Sequence, residues 1–528
     1  MPILITFIAG LSTLLGSIFI FVNIKEKNIK IKRMIEFIVF LLISCILFEK
    51  VTWIFRSNGE EAKEDICGFK NQGNVDVVLY GGSNLLRFYQ PLEAWNQKGY
   101  TSYNYATSSA KADLLKAYIE DSRVSNEAVL YVCDIRSYPM ITETIDDASL
   151  RNWSDSLPVF SRVRWNGISS FLFSRDLRET DVPSFYLDII KYHTNTNALK
   201  SEDQWRYWNL NGIYNVDKGF DANDGHVPFE RPNVIETIGE LTSQQANALD
   251  ELLNYCDDNN LQILFICCPY AITEEDWLTI NAVGKRITER GYDFVNFNHY
   301  YDEIGLDFET DFGDINHVNF LGAEKYTQYL MNYISSHYEL PDHRNDEQYA
   351  RWNSDYESFT IFQNEWRSDT IITVEDHLNA KQIGETLPNV DEFTEWFSWI
   401  KNGNYNVIIT INDMPDGLSA KNPLNRLFEK YGIDMSMEHY IGIWRGNEAL
   451  LTSPGDTKIE TAIGKDGGRG LDQCIISLED RQLLIEDTNY YKAESPMQVL
   501  VYDRNYKRVI DNVSIKISSD DSVILKRQ

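Results

Sequence analysis

The chain begins with two long apolar stretches. From about residue 75 it changes to short apolar runs alternating with amphipathic segments. After residue 349 it changes again, to short runs separated by glycine- and aspartate-rich turns. Residues 3–22 carry no charge, a length able to span a hydrocarbon core of ~30 Å. Residues 35–55 form a second run, interrupted by Glu36, Glu49 and Lys50. Between the runs, "NIKEKNIKIKR" sets Lys25, Lys27, Lys30, Lys32 and Arg33 against Glu26 alone. A short loop so charged stays cytoplasmic. Residues 1–56 are therefore expected to form a two-helix transmembrane hairpin, with the rest of the chain outside the membrane. Glu36 must then reach the interface. A cleaved leader is the alternative for the first run, although no basic residue precedes it and no A-x-A site follows.

The middle of the chain predicts an α/β domain over 60–340. "VDVVLYGG" (75–82), "TSYNYA" (101–106), "AVLYVCD" (128–134), "LQILFICCP" (261–269) and "YDFVNF" (292–297) read as buried parallel strands. Helical spacing appears over 109–122 (Ala112, Leu115, Ile119), over 241–256 (Leu249, Leu252, Leu253) and over 320–335. This alternation predicts three layers around a mainly parallel sheet. Residues 137–232 break it. They are rich in Trp, Arg and Asp and read as an insertion, either lining a cleft or forming a surface excursion. The polar "ELPDHRNDEQ" (339–348) reads as a linker. A smaller α+β or β-rich domain is expected over 349–528. Its strands are "NVIITIND", "HYIGIWRG", "DQCIISL" and "MQVLVYD", with a helix over 390–401.

Composition narrows the function. At 528 residues, 43% hydrophobic and 24% charged, the chain fits two or three globular domains. A formal net charge of -30 repels nucleic acid. The seven cysteines are scattered apart from Cys267 and Cys268, with no CxxC and no zinc-ligand spacing. Neither a disulfide framework, nor a metal, nor a cofactor is expected.

Two short stretches carry candidate chemistry. Ser83 follows Gly81 and Gly82 at the carboxyl end of the first predicted strand, where sites form in parallel sheets. In "DFGDINHVNFLGAEKYTQYL" (311–330), Asp314 and His317 are three apart, just before a helix. That spacing lets a carboxylate orient an imidazole whose other nitrogen serves a serine. Backbone N–H groups at the helix start could receive an oxyanion. A simpler alternative is an N-cap aspartate with a surface histidine.

These residues together resemble the SGNH/GDSL-type hydrolases, whose first block carries the serine after strand one and whose last carries Asp-x-x-His. The likeness is closer to membrane-anchored extracytoplasmic members with "(I/L)GSSH" and "DxxHLNxxGAxKxT" blocks. This chain reads "YGGSNL" and "DINHVNFLGAEKYT". It covers about 75–333. It is more distantly similar to the D-alanyl-transfer family of teichoic acid modification. The resemblance implies Ser83, His317 and Asp314 as nucleophile, base and orienter. It implies oxyanion donors from Ser83 and from Thr107 or Ser108, and Asn84, Asn104, Asp134 and Asn319 as possible substrate-binding residues.

The activity implied is ester hydrolysis or acyl transfer on O-acyl groups of cell-surface glycan, at a Gram-positive-type envelope. Transfer would need a membrane partner to deliver the acyl group. Departures are Asn84 where relatives carry His, no glycine near "NYATSSA", and no clear third-block Asn. These leave open a non-catalytic surface scaffold that binds glycan. The C-terminal part resembles the interleukin-like EMT-inducer type of domain, which would bind carbohydrate or protein or be structural.

Overall fold

In the computed structural model, residues 27–527 are described apart from 57–59, 145–146, 174, 176, 178–179, 201–212, 416–417 and 494. The first expected span, 3–22, lies outside the described residues. The second lies in the helix Lys27–Phe55, which also takes in much of the basic stretch expected as a loop. No helix among the described residues is long and apolar enough to cross a membrane, so the expected hairpin is not seen there. Glu36, Glu49 and Lys50 leave only 37–48 uncharged, about 18 Å of helix. Towards its end the helix joins the globular part. Trp53 and Ile54 are buried, and Glu49 accepts a hydrogen bond from the Val159 N–H at 2.8 Å. Ile38, Phe40, Leu42, Ile46 and Leu47 remain exposed.

The chain divides into two compact units. The first comprises Met1–Asp221, Asn233–Ile304 and Glu324–Ile361. Its core is a parallel sheet of β1 (Val77–Gly81), β2 (Ser102–Ala106), β3 (Leu130–Asp134), β4 (Ile263–Cys267) and β5 (Asp293–Asn296), in the order β2-β1-β3-β4-β5. All five expected strands form. The first four are buried along their whole length, which is why they read as unbroken apolar runs. The crossovers are helical, so this is a doubly wound α/β sheet.

Its strand order reverses at β1, which pairs with β2 on one side and β3 on the other. Such a switch point opens a crevice beyond the carboxyl ends of β1 and β3. Helix Ser243–Asn259 starts in a capping box, in which Thr242 Oγ1 accepts from the Gln245 N–H and Gln245 Oε1 from the Thr242 N–H. Helix Glu274–Glu289, absent from the sequence reading, starts the same way at Thr273 and Asp276. Of the expected insertion, 137–221 belongs to this unit and forms short helices, among them Asp147–Ser154 and Arg162–Phe173.

The second unit comprises Ala222–Pro232, Gly305–Ala323 and Phe362–Gln528. Its antiparallel strands are β6 (Tyr405–Ile411), β7 (Tyr440–Arg445), β8 (Glu448–Pro454), β9 (Lys458–Ile463), β10 (Asp472–Ser477), β11 (Gln482–Ile485), β12 (Thr488–Asn489), β13 (Met497–Asp503), β14 (Arg508–Ile517) and β15 (Val523–Lys526). They make a six-stranded sheet, β15-β14-β13-β6-β7-β8, and a four-stranded sheet, β12-β11-β10-β9.

Strand alternation sends Val407, Ile409 and Ile411 to a core shared with helices Phe393–Trp399 and Leu424–Tyr431. Ile408 points the other way, into a second core with Ile459, Cys474 and Leu483 of the smaller sheet. The six-stranded sheet is thus sandwiched between helices and the second sheet. The long helix Ala350–Thr386 precedes it, where no helix was expected.

Candidate active site

Ser83 stands at the first position of the helix Ser83–Phe88, directly beyond β1. It is half-buried, with buried residues on both sides. Gly82 caps the helix in an extended conformation, and its carbonyl accepts from the Leu85 N–H at 3.0 Å. Both glycines sit in close approach to their neighbours. A Cβ on Gly81 would lie 3.2 Å from Cβ of both Asp134 and Leu85, and one on Gly82 would lie 3.2 Å from the Ala110 carbonyl oxygen. The turn after β1 is therefore seated against the turn after β2.

That second turn, expected to supply an oxyanion donor, lacks glycine. It is made instead with Ser109 at φ 61, the left-handed region that ordinarily favours glycine. Thr107 is buried and its hydroxyl pairs with the Tyr118 hydroxyl at 2.6 Å. The Ser108 carbonyl accepts from Asn152 Nδ2 at 2.7 Å, and the Ser109 carbonyl from Ser149 Oγ at 2.7 Å. The helix Asp147–Ser154 thus holds the turn from outside the sheet.

Asn84 and Asp134 are brought together. Asn84 Nδ2 donates to Asp134 Oδ2, while Asp134 Oδ1 accepts the backbone N–H groups of Arg136 (3.1 Å) and Cys268 (3.2 Å). One carboxylate so fastens the Ser83 turn to the ends of β3 and β4. Burial pushes the Asp134 carboxyl above its usual range, against the opposing pull of Arg136 and the hydrogen-bond donors. Both side chains are almost fully buried, which suits a bolt rather than a surface offered to substrate. Asn104 is buried in β2, where its amide donates to the carbonyls of Tyr89 (2.7 Å) and Gly219 (3.2 Å).

In the second unit, Asp314 and His317 form a closed pair. His317 Nδ1 lies 3.0 and 2.9 Å from the two Asp314 carboxylate oxygens. A carboxylate only accepts, so Nδ1 carries a proton, and whenever the ring is neutral Nε2 is the acceptor. Asp314 Oδ1 also accepts the backbone N–H groups of Asn316 (2.7 Å) and His317 (3.0 Å). Partial burial opposes ionisation, but the His317 hydrogen bond and charge and these two amides outweigh it and hold the carboxyl below its usual range. The helix that follows, Phe320–His337, is capped by a different residue. Buried Asn319 accepts the N–H groups of Leu321 (3.1 Å) and Gly322 (3.2 Å) through Oδ1 and donates to the Thr310 carbonyl at 2.7 Å.

No family model matches this chain, and no curated protein or solved structure matches it. What the site can do rests on its own geometry. Among the described residues no cluster of His, Cys, Asp or Glu is placed to hold a metal ion.

The mount of the Asp314 and His317 loop is the part that sequence reading missed. Residues 222–232 run along it as a strap. Val227 N–H donates to the Phe312 carbonyl (2.9 Å), Phe229 N–H to that of Phe308 (3.2 Å), and Asn223 Nδ2 to that of Val318 (3.2 Å). His226, buried in the strap, stands 2.5 Å from His377 Nδ1 through its own Nδ1, and its Nε2 lies 2.6 Å from the Glu309 carbonyl. Burial, with Lys465 and His226 adding to it, pushes the His377 imidazole down to about 3. No periodicity marks the strap, which has no regular secondary structure.

Proposed function

We propose that this protein is a serine ester hydrolase or acyltransferase of the SGNH/GDSL type, acting on O-acyl groups of cell-surface glycan. The observation that carries this reading is the Asp314 and His317 pair. Both carboxylate oxygens sit at hydrogen-bonding distance from Nδ1, which fixes the tautomer a general base needs. Ser83, at a strand-to-helix turn beside the switch point of a doubly wound sheet, is where such a fold exposes a nucleophile.

In the proposed reaction His317 Nε2 takes the Ser83 proton as Oγ attacks the acyl carbonyl. Asp314 stabilises the imidazolium, which then protonates the leaving alcohol. Water or a second glycan hydroxyl resolves the acyl-enzyme by the reverse steps. The Ser83 backbone N–H and the turn 107–110, seated on Gly82, are the candidate oxyanion donors. Transfer would require a membrane partner supplying the acyl group.

The uncharged stretch 3–22 and the exposed apolar side chains of the helix Lys27–Phe55 support attachment to a membrane, with the site on its outer side. Ser83 belongs to the first unit and the Asp314 and His317 pair to the second, so the meeting of hydroxyl and imidazole is what experiment must establish. A fluorophosphonate probe tests it. Labelling of the full chain that is lost in Ser83→Ala and in His317→Ala supports the reading; no labelling of the folded wild type refutes it. A second reading, a non-catalytic glycan-binding scaffold, draws support from the absence of glycine between Asn104 and Ala110. It predicts glycan retention without labelling.

A further inference from the structure

We infer that the glycine-rich turn 464–470 of the β-rich domain, "GKDGGRG", is a positioning element for the Asp314 and His317 loop; the inference rests on the proposed role of that pair. The turn joins β9 to β10 and reaches the loop directly. The Gly467 carbonyl accepts the Ile315 N–H at 3.3 Å, inside the Asp-x-x-His segment itself. A Cβ on Gly468 would lie 2.8 Å from Ile315 Cγ1, and one on Gly467 would lie 2.6 Å from Val227 Cγ2 of the strap. Both glycines have positive φ, 84 and 56, so at both positions space and backbone exclude a side chain.

The flanking cations anchor the same turn to the strap. Lys465 Nζ donates to the His226 carbonyl (3.3 Å). Arg469 donates to the carbonyls of Pro228 (3.1 Å) and Asn505 (2.6 Å). Asp466 Oδ1 accepts the N–H groups of Gly468 and Gly470, both at 3.1 Å, and closes the turn on itself. The loop is therefore held from two sides by pieces distant in sequence. The strap supports its ends at Phe312 and Val318, and the turn supports its centre at Ile315. Misplacing a catalytic pair by an ångström costs on the order of 100-fold in rate, so a domain that sets the centre of this loop sets the reactivity of Ser83. Any ligand that moved the turn would act on the same loop.

The test uses the full chain with Gly468→Ala, compared with Gly470→Ala. Gly470 also has positive φ (74) but nothing within 4 Å of its Cβ position, so it reproduces the backbone strain without the contact. Hydrogen exchange of amides 312–318 is expected to speed up roughly 10-fold in Gly468→Ala and hardly at all in Gly470→Ala. Fluorophosphonate labelling is expected to slow roughly 10- to 100-fold in the first variant only. Ile315→Ala removes the contact from the other side without straining the turn. It should likewise speed exchange, and combined with Gly468→Ala it should give less than the product of the single effects.

Equal exchange in the Gly468 and Gly470 variants, or wild-type exchange in Gly468→Ala and Ile315→Ala, overturns the inference. The exchange readout separates it from the enzymatic reading. A wild type that resists the probe while 312–318 responds refutes the acyl chemistry and leaves the positioning contact established. A wild type that labels while 312–318 is indifferent does the opposite.

Discussion

Asn84→Ala removes a side-chain link from the Ser83 turn to the buried Asp134. A hydrogen bond to a buried carboxylate contributes ~1.5–3 kcal/mol, and Asp134 keeps the Arg136 and Cys268 amides afterwards. At ~2–4 °C per kcal/mol for a unit of a few hundred residues, the melting transition should fall by roughly 3–12 °C. The pH dependence identifies the cause. Burial already raises the Asp134 carboxyl above its unfolded value of 3.8, so its ionisation costs stability as pH rises through the folded value. Losing a donor raises it further. The deficit of Asn84→Ala should therefore grow as pH rises through the folded value of this carboxyl and shrink below it. Asn84→Asp, which sets a second carboxylate against the first, should be worse at pH 7 and recover more on acidification. Thermal melts of the full chain followed by circular dichroism between pH 4 and 8 measure all three proteins. A loss under about 0.5 kcal/mol, or one independent of pH, would refute the assignment of Asp134 as the bolt.

Asp314→Asn should keep the loop, because the amide oxygen can still accept the Asn316 and His317 N–H groups, yet slow fluorophosphonate labelling of Ser83 by roughly 10³–10⁴-fold, measured by intact mass against time. The same carboxyl lies below its unfolded value, so its contribution to stability is complete above about pH 4 and is lost as pH falls through the folded value. Melts between pH 2 and 5 should be less steep in pH for Asp314→Asn than for wild type. His377 is neutral when folded, held at about 3 against 6.5 in the open chain, so stability is lost as pH falls below 6.5. His377→Leu should flatten the melting temperature between pH 6.5 and 4, and an unchanged slope would contradict the buried histidine pair. If the helix Lys27–Phe55 attaches to lipid, the full chain should sediment with neutral phosphatidylcholine vesicles, and replacing the exposed Leu42 and Ile46 by Glu should weaken that binding.

Much of the sheet was legible because its strands are buried on both faces. Val77, Val78, Leu79 and Tyr80 form an unbroken apolar run closed by Gly81, and Ile263, Leu264, Phe265 and Ile266 one that Pro269 closes after Cys267 and Cys268. In the β-rich part, β6, β7 and β13 were legible for the same reason, and β10 through its short apolar run Cys474, Ile475 and Ile476. β8 was not, because it is exposed or half-buried along its whole length, and neither was β9, whose buried Ile459 and Ile463 are separated by exposed and half-buried positions that resemble loop.

The long helix Ala350–Thr386 escaped because half of its inward stripe is polar. Trp352, Phe359, Val374 and Ala380 are buried, but so are Asp355, Gln363, Thr370 and His377, and these erase the apolar period. The candidate site was half legible. Ser83 and the Asp-x-x-His segment announce themselves by residue type and spacing. Nothing in the sequence marks "GKDGGRG" or the strap 222–232 as supports of that segment, because their hold is made largely by backbone carbonyls and by the space that glycines leave empty. Asn84, Asn104 and Asn319 are polar residues of the kind that bind substrate, but their amides are used inside the fold, on a carboxylate, on two carbonyls and on a helix start.

The most direct measurement is the mass of the full chain after incubation with a fluorophosphonate, with the modified peptide mapped. A single adduct on Ser83, absent from Ser83→Ala and strongly slowed in His317→Ala and Asp314→Asn, is the predicted result. An unmodified wild type whose melting curve shows it folded, or an adduct whose rate ignores His317, would contradict the proposed chemistry.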